Sequence, residues 1–251
     1  MKQKAFFNWS TGKDSALALY KVLQSHDYLI SGLLTTVNEG FGRVSMHGIR
    51  KELLYKQIES IGLPLFEVLL PEVPTMETYE KAMLSTLKNR ILDGDEVSIF
   101  GDVFLKDLRK YREDKLLEIG LKANFPLWNR NTKELVLELI NLGFKAIVIC
   151  IDARVLGEEF LGKVIDRDFL DSLPENVDPC GENGEFHTFV YDGPIFKHPI
   201  AFELGEKVLR TYQNPVKKEE DNEYDCSSDT EQKSGFWYLD LVPKSESRFN
   251  C

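Results

Sequence analysis

Short apolar runs alternate along this chain with longer stretches in which apolar residues recur every three or four positions, and that alternation assigns the elements. Ala5-Phe6-Phe7 reads as a strand, and residues 15–23 as a helix with Ala16, Leu19, Tyr20 and Leu23 on one face. Residues 30–37 read as a second strand, 47–61 as a helix with Leu54, Ile58 and Ile61 aligned, and 65–70 as a third strand. The pattern continues with a helix over 75–92, a strand over 97–100 and a charged helix over 105–119 that ends near Gly120. Asn131 is placed to cap the next helix, with Glu134 at the capping-box position and Gly143 just past the end. Residues 146–151 carry no polar alternation, as expected for a strand buried on both faces of a parallel sheet. Strand following helix in this order predicts an α/β fold with a doubly wound, mostly parallel sheet.

After Pro174 the texture changes to Gly, Pro and Asp turns around residues 186–191, with a further strand over 236–242, so the chain ends in a smaller α+β part. Residues 213–235 are polar, acidic and nearly free of apolar side chains, which predicts a flexible surface insertion joining two strands of one hairpin.

Composition narrows the class. The chain has 251 residues, 43% hydrophobic, 11% aromatic and 29% charged, the profile of a soluble globular protein rather than a disordered, collagenous or membrane-embedded one. Lys+Arg 31 against Asp+Glu 41 gives a net charge of −10, which argues against nucleic acid or a membrane surface as the main partner. Seven acids and three lysines in residues 214–234 supply −4 of that charge, so a local basic pocket remains compatible with it. Cys150, Cys180, Cys226 and Cys251 form no Cys-x-x-Cys pair, and the amino terminus has too short an apolar run for a signal-peptide core. A reducing, cytoplasmic setting is the expectation.

The sharpest chemical signal is Ser10-Thr11-Gly12-Lys13-Asp14-Ser15, between the first strand and the first helix. In an open α/β sheet ligands bind at the carboxyl ends of strands, where a helix amino terminus offers unpaired N–H groups to phosphate. Gly12 permits close backbone approach, Ser10 and Ser15 add hydroxyls, and Lys13 adds positive charge. A Walker A loop is rejected by spacing, since Phe7 stands where its first glycine belongs and Asp14 follows the lysine. The alternative is an ordinary helix start in which Ser10 or Thr11 caps the first turn. A second constellation, Glu182, Glu185 and His187, sits among Gly181 and Gly184, where acids and an imidazole can bind magnesium, hold an amine or move a proton. Its alternative is a solvated, Gly-rich turn. Asp102, at the end of the strand over 97–100, is expected to face the crevice of the Ser10 loop, with Arg112 far enough along the following helix to point elsewhere. Cys180 can be a nucleophile or, more commonly, a small buried thiol.

The hexapeptide resembles the Ser-Gly-Gly-x-Asp-Ser loop of the PP-loop ATP pyrophosphatases, with Thr11 in place of the first glycine. Gly101-Asp102-Val103-Phe104 with Tyr111-Arg112, Pro126-Leu127-Trp128, Leu161-Gly162-Lys163, and the stretch from Cys180 through Phe189 to Asp192-Gly193-Pro194 are similar, in order, to the diphthine-ammonia ligase family. In that family the stretch from Cys180 usually reads Cys-Gly-Glu-Gly-Gly-Glu-x-Glu-Thr, so His187 stands where a further Glu is expected.

The resemblance implies a HUP-like PP-loop domain over 1–125 and an acceptor-side α+β domain over 126–251. It implies an ATP-dependent, AMP-forming carbon-nitrogen ligase that adenylates a carboxylate, releases pyrophosphate and uses ammonia. Ser10, Thr11, Gly12, Lys13, Asp14, Ser15 and Asp102 would then bind ATP, with Asp14 and Asp102 the candidates to orient Mg2+ or the nucleotide, while Asp14, Glu182, Glu185 and His187 would do the chemistry. The implied acceptor is the diphthine residue of elongation factor 2. Alternatives are a different, bacterial-type carboxylate acceptor, or an ATP- or AMP-binding sensor without turnover. Strand edges near 236–242 also allow pairing between subunits, so a homodimer is compatible with the sequence.

Overall fold

The computed structural model describes residues 2–45, 48–212 and 234–244. Its first sheet grows around β1 (Gln3–Asn8), where Ala5 and Phe7 face one core cluster and Phe6 the other, all three fully buried. β2 (Tyr28–Asn38) and β4 (Leu65–Leu70) extend the sheet on one side of β1; β5 (Val97–Ile99) and β6 (Lys122–Asn124) extend it on the other, all parallel. On one face α1 (Lys13–Ser25) and α2 (Lys51–Ile61) bury Ala16, Leu17, Leu19, Leu53 and Leu54. On the other, α3 (Met76–Leu92) and α4 (Lys106–Leu117) each contribute one buried residue, Leu87 and Leu116. The sheet is therefore doubly wound and mostly parallel, as the alternation predicts. Because the strand order reverses at β1, the segments leaving β1 and β5 lie side by side at a topological switch point.

The second sheet, smaller and antiparallel, has the order β8-β7-β10-β9, built from β7 (Lys145–Asp152), β8 (Phe186–Asp192), β9 (Phe202–Tyr212) and β10 (Ser234–Pro243). It corrects one expectation. β7 is buried on both faces, but both its neighbours run antiparallel to it. A continuous apolar run reports that both faces are covered; it carries no information about the direction of neighbouring strands.

A second correction concerns the helix expected over 47–61. The chain first forms β3 (Arg43–Val44) against the end of β2, and Ile49 turns back so that its carbonyl accepts from Val44 N at 2.8 Å. α2 then begins at Lys51, while His47 lies outside the described residues. Ile49 is buried in that turn, so its apolarity belongs to the core without belonging to the helix. The strand elements before and after the acidic stretch do form one hairpin, β9 with β10, although Ser234 and Gly235 are part of β10 and residues 213–233 fall outside the described set.

Helix ends follow the sequence signals closely. Thr75 caps α3 by accepting from Thr78 N at 3.2 Å, and Asn131 caps α5 (Thr132–Asn141) by accepting from Glu134 N at 3.0 Å. Gly143, just past α5, has φ of 82°, the left-handed conformation that a helix exit needs. A short α6 (Arg167–Ser172) follows β7. Among the described residues no helix is long and apolar enough to cross a membrane. Ile151, fully buried in β7, should cost about 2–5 kcal/mol when cut to alanine, whereas Leu204→Ala, at 59% exposure on β9, should change stability by less than about 0.5 kcal/mol in the same urea titration.

Candidate functional site

The loop after β1 is built by the end of the sheet. Asn8 Nδ2 donates to Ser98 Oγ at 2.8 Å and to the Ile99 carbonyl at 2.9 Å, which fixes the tips of β1 and β5 together. The Trp9 carbonyl accepts from Thr35 Oγ1 at 2.9 Å, and Trp9 Nε1 donates to Gln57 Oε1 at 2.9 Å. Thr11 has φ of 73°, a region that a β-branched residue rarely occupies. The N-cap of α1 is Gly12, with no side-chain cap bond, so neither Ser10 nor Thr11 plays the capping role of the alternative reading. Instead the Ser10 and Ser15 hydroxyls bond to each other at 3.0 Å, and Ser15 Oγ donates to the Gly12 carbonyl at 2.9 Å. From the β5 side Gly101 packs so closely that a Cβ there would sit 3.0 Å from Ser15 N and Cα.

The acidic turn before β8 is organised by its own carboxylates. Glu185 is 5% exposed and accepts from Asp178 N at 3.0 Å, Asn183 N at 2.9 Å and Asn183 Nδ2 at 2.9 Å. Those bonds hold its carboxyl below the ordinary range although burial works against them. Asp178 Oδ1 in turn accepts from Cys180 N at 2.8 Å and Glu182 N at 3.3 Å. Gly181, at φ of 70°, lets the chain fold against the Phe186 carbonyl, which a Cβ would approach to 2.8 Å.

Lys13 joins the two constellations. Its side chain is 4% exposed, its ammonium meets Asp14 at 2.7 Å and the Cys180 carbonyl, and it lies 5.3 Å from the centre of the Phe186 ring. Burial opposes that charge, yet Asp14, Cys180 and Glu182 hold the ammonium's proton more tightly than usual. Its backbone N–H donates to Thr188 Oγ1 at 3.1 Å, and Val190 N donates to the Thr11 carbonyl at 2.9 Å. The loop of the first sheet is thus stitched to β8 of the second.

These elements enclose a cavity of about 1690 Å³ lined by Ser10, Gly12, Lys13, Asp14, Ser15, Asp102, Glu182 and His187. Of the residues expected at the site, Thr11 and Glu185 do not line it: the first is fully buried, and the second is spent on its own turn. Burial, reinforced by Asp14, Asp102 and Asp178, pushes the Glu182 carboxyl up to about 8. Burial, with Lys13 nearby, pulls the His187 imidazole below its usual range. Burial also raises Asp102, more than its Arg112 partner lowers it. Arg112 does not point elsewhere, as the sequence reading had it: it folds back from α4, pairs with Asp102 and lies 4.5 Å from the Phe100 ring centre. The Cys180 thiol is buried against the Thr132 carbonyl at 3.3 Å and its acidity is suppressed, which removes it as a nucleophile.

Sequence reasoning missed Gln57, which reaches the loop from α2, and the ion-pair latch in which Asp240 of β10 binds Arg43 at 2.9 Å and Arg50 at 2.6 Å. Gln57 carries a signal in retrospect, a fully buried polar residue following Leu53 and Leu54 at helical spacing. The Asp240 latch joins residues about two hundred positions apart and has no local signature.

Two measurements test this geometry. Gly101→Ala should press backbone on backbone at Ser15 and lower stability by about 1–3 kcal/mol, read by urea titration. Glu182 binds its proton more tightly folded than unfolded, so between its ordinary value near 4.5 and about 8 it makes the native state less stable as pH rises. Glu182→Gln should therefore melt higher than the native chain at pH 8.5 or so, with the gap closing as pH falls toward the ordinary carboxyl range.

Comparison with known proteins gives one family. Residues 1–123 match the model of the diphthamide synthase N-terminal domain, and residues 131–218 match that of its C-terminal domain. The diphthine-ammonia ligase of Homo sapiens is 29% identical over 168 residues, covering 61% of this chain and 63% of that protein. That of Bos taurus is 30% identical over the same shares. The diphthine-ammonia ligase of Saccharomyces cerevisiae is 27% identical over 227 residues, covering 75% of this chain and 33% of that longer protein. The match thus spans less than two thirds of the length of the human and bovine relatives. With both domain models matched in order along it, the chain belongs to the diphthamide synthase family.

Proposed function

We propose that the protein is an ATP-dependent, AMP-forming ligase that converts a carboxylate to an amide with ammonia, its acceptor being a protein-borne diphthine residue. The observation that carries this reading is the single cavity in which a phosphate-type loop and a carboxylate turn meet, joined through Lys13. The curated relatives named diphthine-ammonia ligases support the same reaction and acceptor. We read residues 1–125 as the nucleotide part and 126–251 as the acceptor part.

The chemistry needs two steps. A carboxylate oxygen attacks the α-phosphorus of ATP and the bond to pyrophosphate breaks; ammonia then attacks the acyl carbon and the acyl-oxygen bond to AMP breaks. The start of α1, where Lys13 N–H is taken by Thr188, would receive the departing pyrophosphate through the next N–H groups with Ser10, Gly12 and Ser15, as its charge grows on leaving. Among the described residues no group of three or more His, Cys, Asp or Glu is placed to hold a metal by itself. Magnesium fits as an ion carried by the phosphates and touched by one or two carboxylates, for which Asp14 and Asp102 are the candidates. It would supply charge neutralisation. Lys13, sealed between Asp14 and Cys180, holds the two loops together more than it contacts phosphate.

Ammonium must lose a proton before it can attack. Glu182, with its proton affinity pushed up to about 8, is a stronger base than an ordinary carboxylate and can accept that proton in its ionised form, while His187 lines the same cavity. Glu185 acts as a positioning residue, since its bonds to Asp178 and Asn183 set where Glu182 stands. The deciding experiment follows AMP from ATP with magnesium and ammonium, with and without elongation factor 2 carrying diphthine. AMP should appear only with the modified factor, and Asp14→Ala or Glu182→Gln should lower its rate about 100-fold or more. ATP binding without AMP under those conditions would sink the proposal.

A further inference from the structure

Gln57 is fully buried on α2 and every polar atom of its side chain is used. Oε1 accepts from Trp9 Nε1 at 2.9 Å, while Nε2 donates to the Thr11 carbonyl at 3.2 Å and to the Val190 carbonyl at 2.6 Å. The amide orientation is unambiguous on chemical grounds, because a flipped amide would face two carbonyls with its own oxygen and the indole N–H with its NH2. Gln57 is absent from the cavity lining, so it touches no ligand bound there.

What it touches is the one residue of the phosphate loop under strain. Thr11 sits at φ of 73°, fully buried, and its own Oγ1 has no hydrogen-bond partner among the described residues. Nothing in the threonine side chain compensates for the conformation. Its carbonyl, however, is gripped by two donors, Gln57 Nε2 and Val190 N at 2.9 Å. Returning Thr11 to the extended region would swing that carbonyl off both donors and strand them in the core, which costs more than the strain relieved. Gly12 and the first N–H groups of α1 follow directly along the chain.

We infer that Gln57 is a positioning residue for nucleotide binding: it clamps Thr11 in the left-handed conformation and thereby presets the loop, a duty that a glycine at position 11 would lighten. The inference rests on the reading of residues 10–15 as the ATP loop. It is tested by a cycle of Gln57→Met, Thr11→Gly and the double variant, each measured well below its melting temperature. Gln57→Met keeps the volume and removes the three bonds, and it should weaken ATP about tenfold or more, appearing in KM rather than kcat. Thr11→Gly introduced into Gln57→Met should recover most of that loss, because glycine takes positive φ without help. If Gln57→Met binds ATP as the native chain does, or if the two substitutions simply add, the clamp is refuted and Gln57 is core filling alone. Should Gln57→Met fail to fold, Gln57→Glu, which sets a carboxylate against two carbonyls, takes its place in the cycle. If the native chain binds no ATP, the functional reading falls; the clamp is then decided by unfolding midpoints, where Thr11→Gly should raise Gln57→Met more than it raises the native chain.

Discussion

The bond from Val190 N to the Thr11 carbonyl is the constraint on which the site depends, since it fastens the loop of one sheet to a strand of the other. Two further ties run alongside it, from Lys13 N to Thr188 Oγ1 and from the Lys13 ammonium to the Cys180 carbonyl. A net hydrogen bond is worth about 0.5–1.5 kcal/mol, so a handful of them is the right size to hold a β-branched residue whose conformation costs about 1–3 kcal/mol. The first sheet supplies the switch point and the second sheet supplies the grip. Neither alone produces the loop geometry.

Electrostatics around the loop run opposite to a simple phosphate trap. Asp14, Asp102 and Asp178 stand close enough to Glu182 to raise its proton affinity, and Lys13, the only cation of the loop itself, is already paired. A polyphosphate entering such a site alone meets net repulsion, whereas one that brings its own divalent cation converts the same carboxylates into partners. The acidity of the site thus agrees in sign with the −10 of the whole chain, and both favour a polyphosphate that arrives with its own cation over a bare one.

How much of this was legible depended on the range of the forces involved. β4 ends where its apolar run ends, and the cap at Asn131 is set by residues within one turn, so local pattern located them; the Thr75 cap lies where the helix over 75–92 was expected to start. The loop was readable because strand, Gly-Lys and helix are contiguous. β3 and β6, two and three residues long, are too short for any periodicity to register. The antiparallel setting of β7, the return of Arg112 onto Asp102 and the reach of Gln57 to Thr11 are tertiary facts, fixed by partners ten to more than eighty residues away. Glu185 shows the opposite failure. Residue type marked it as reactive, and only the geometry reveals that both oxygens serve the turn.

The stitching of the loop to β8 bears on how such a protein can be taken apart or recombined. The two halves look like separable cassettes, each with its own sheet, yet the partners that shape the loop after β1 sit at Thr188 and Val190, beyond the far end of β7. Gln57 is no exception, because one of its three bonds also lands on Val190. A chimera assembled from the first half of one relative and the second half of another inherits a loop only as good as the match across that seam, so the two halves must drift together.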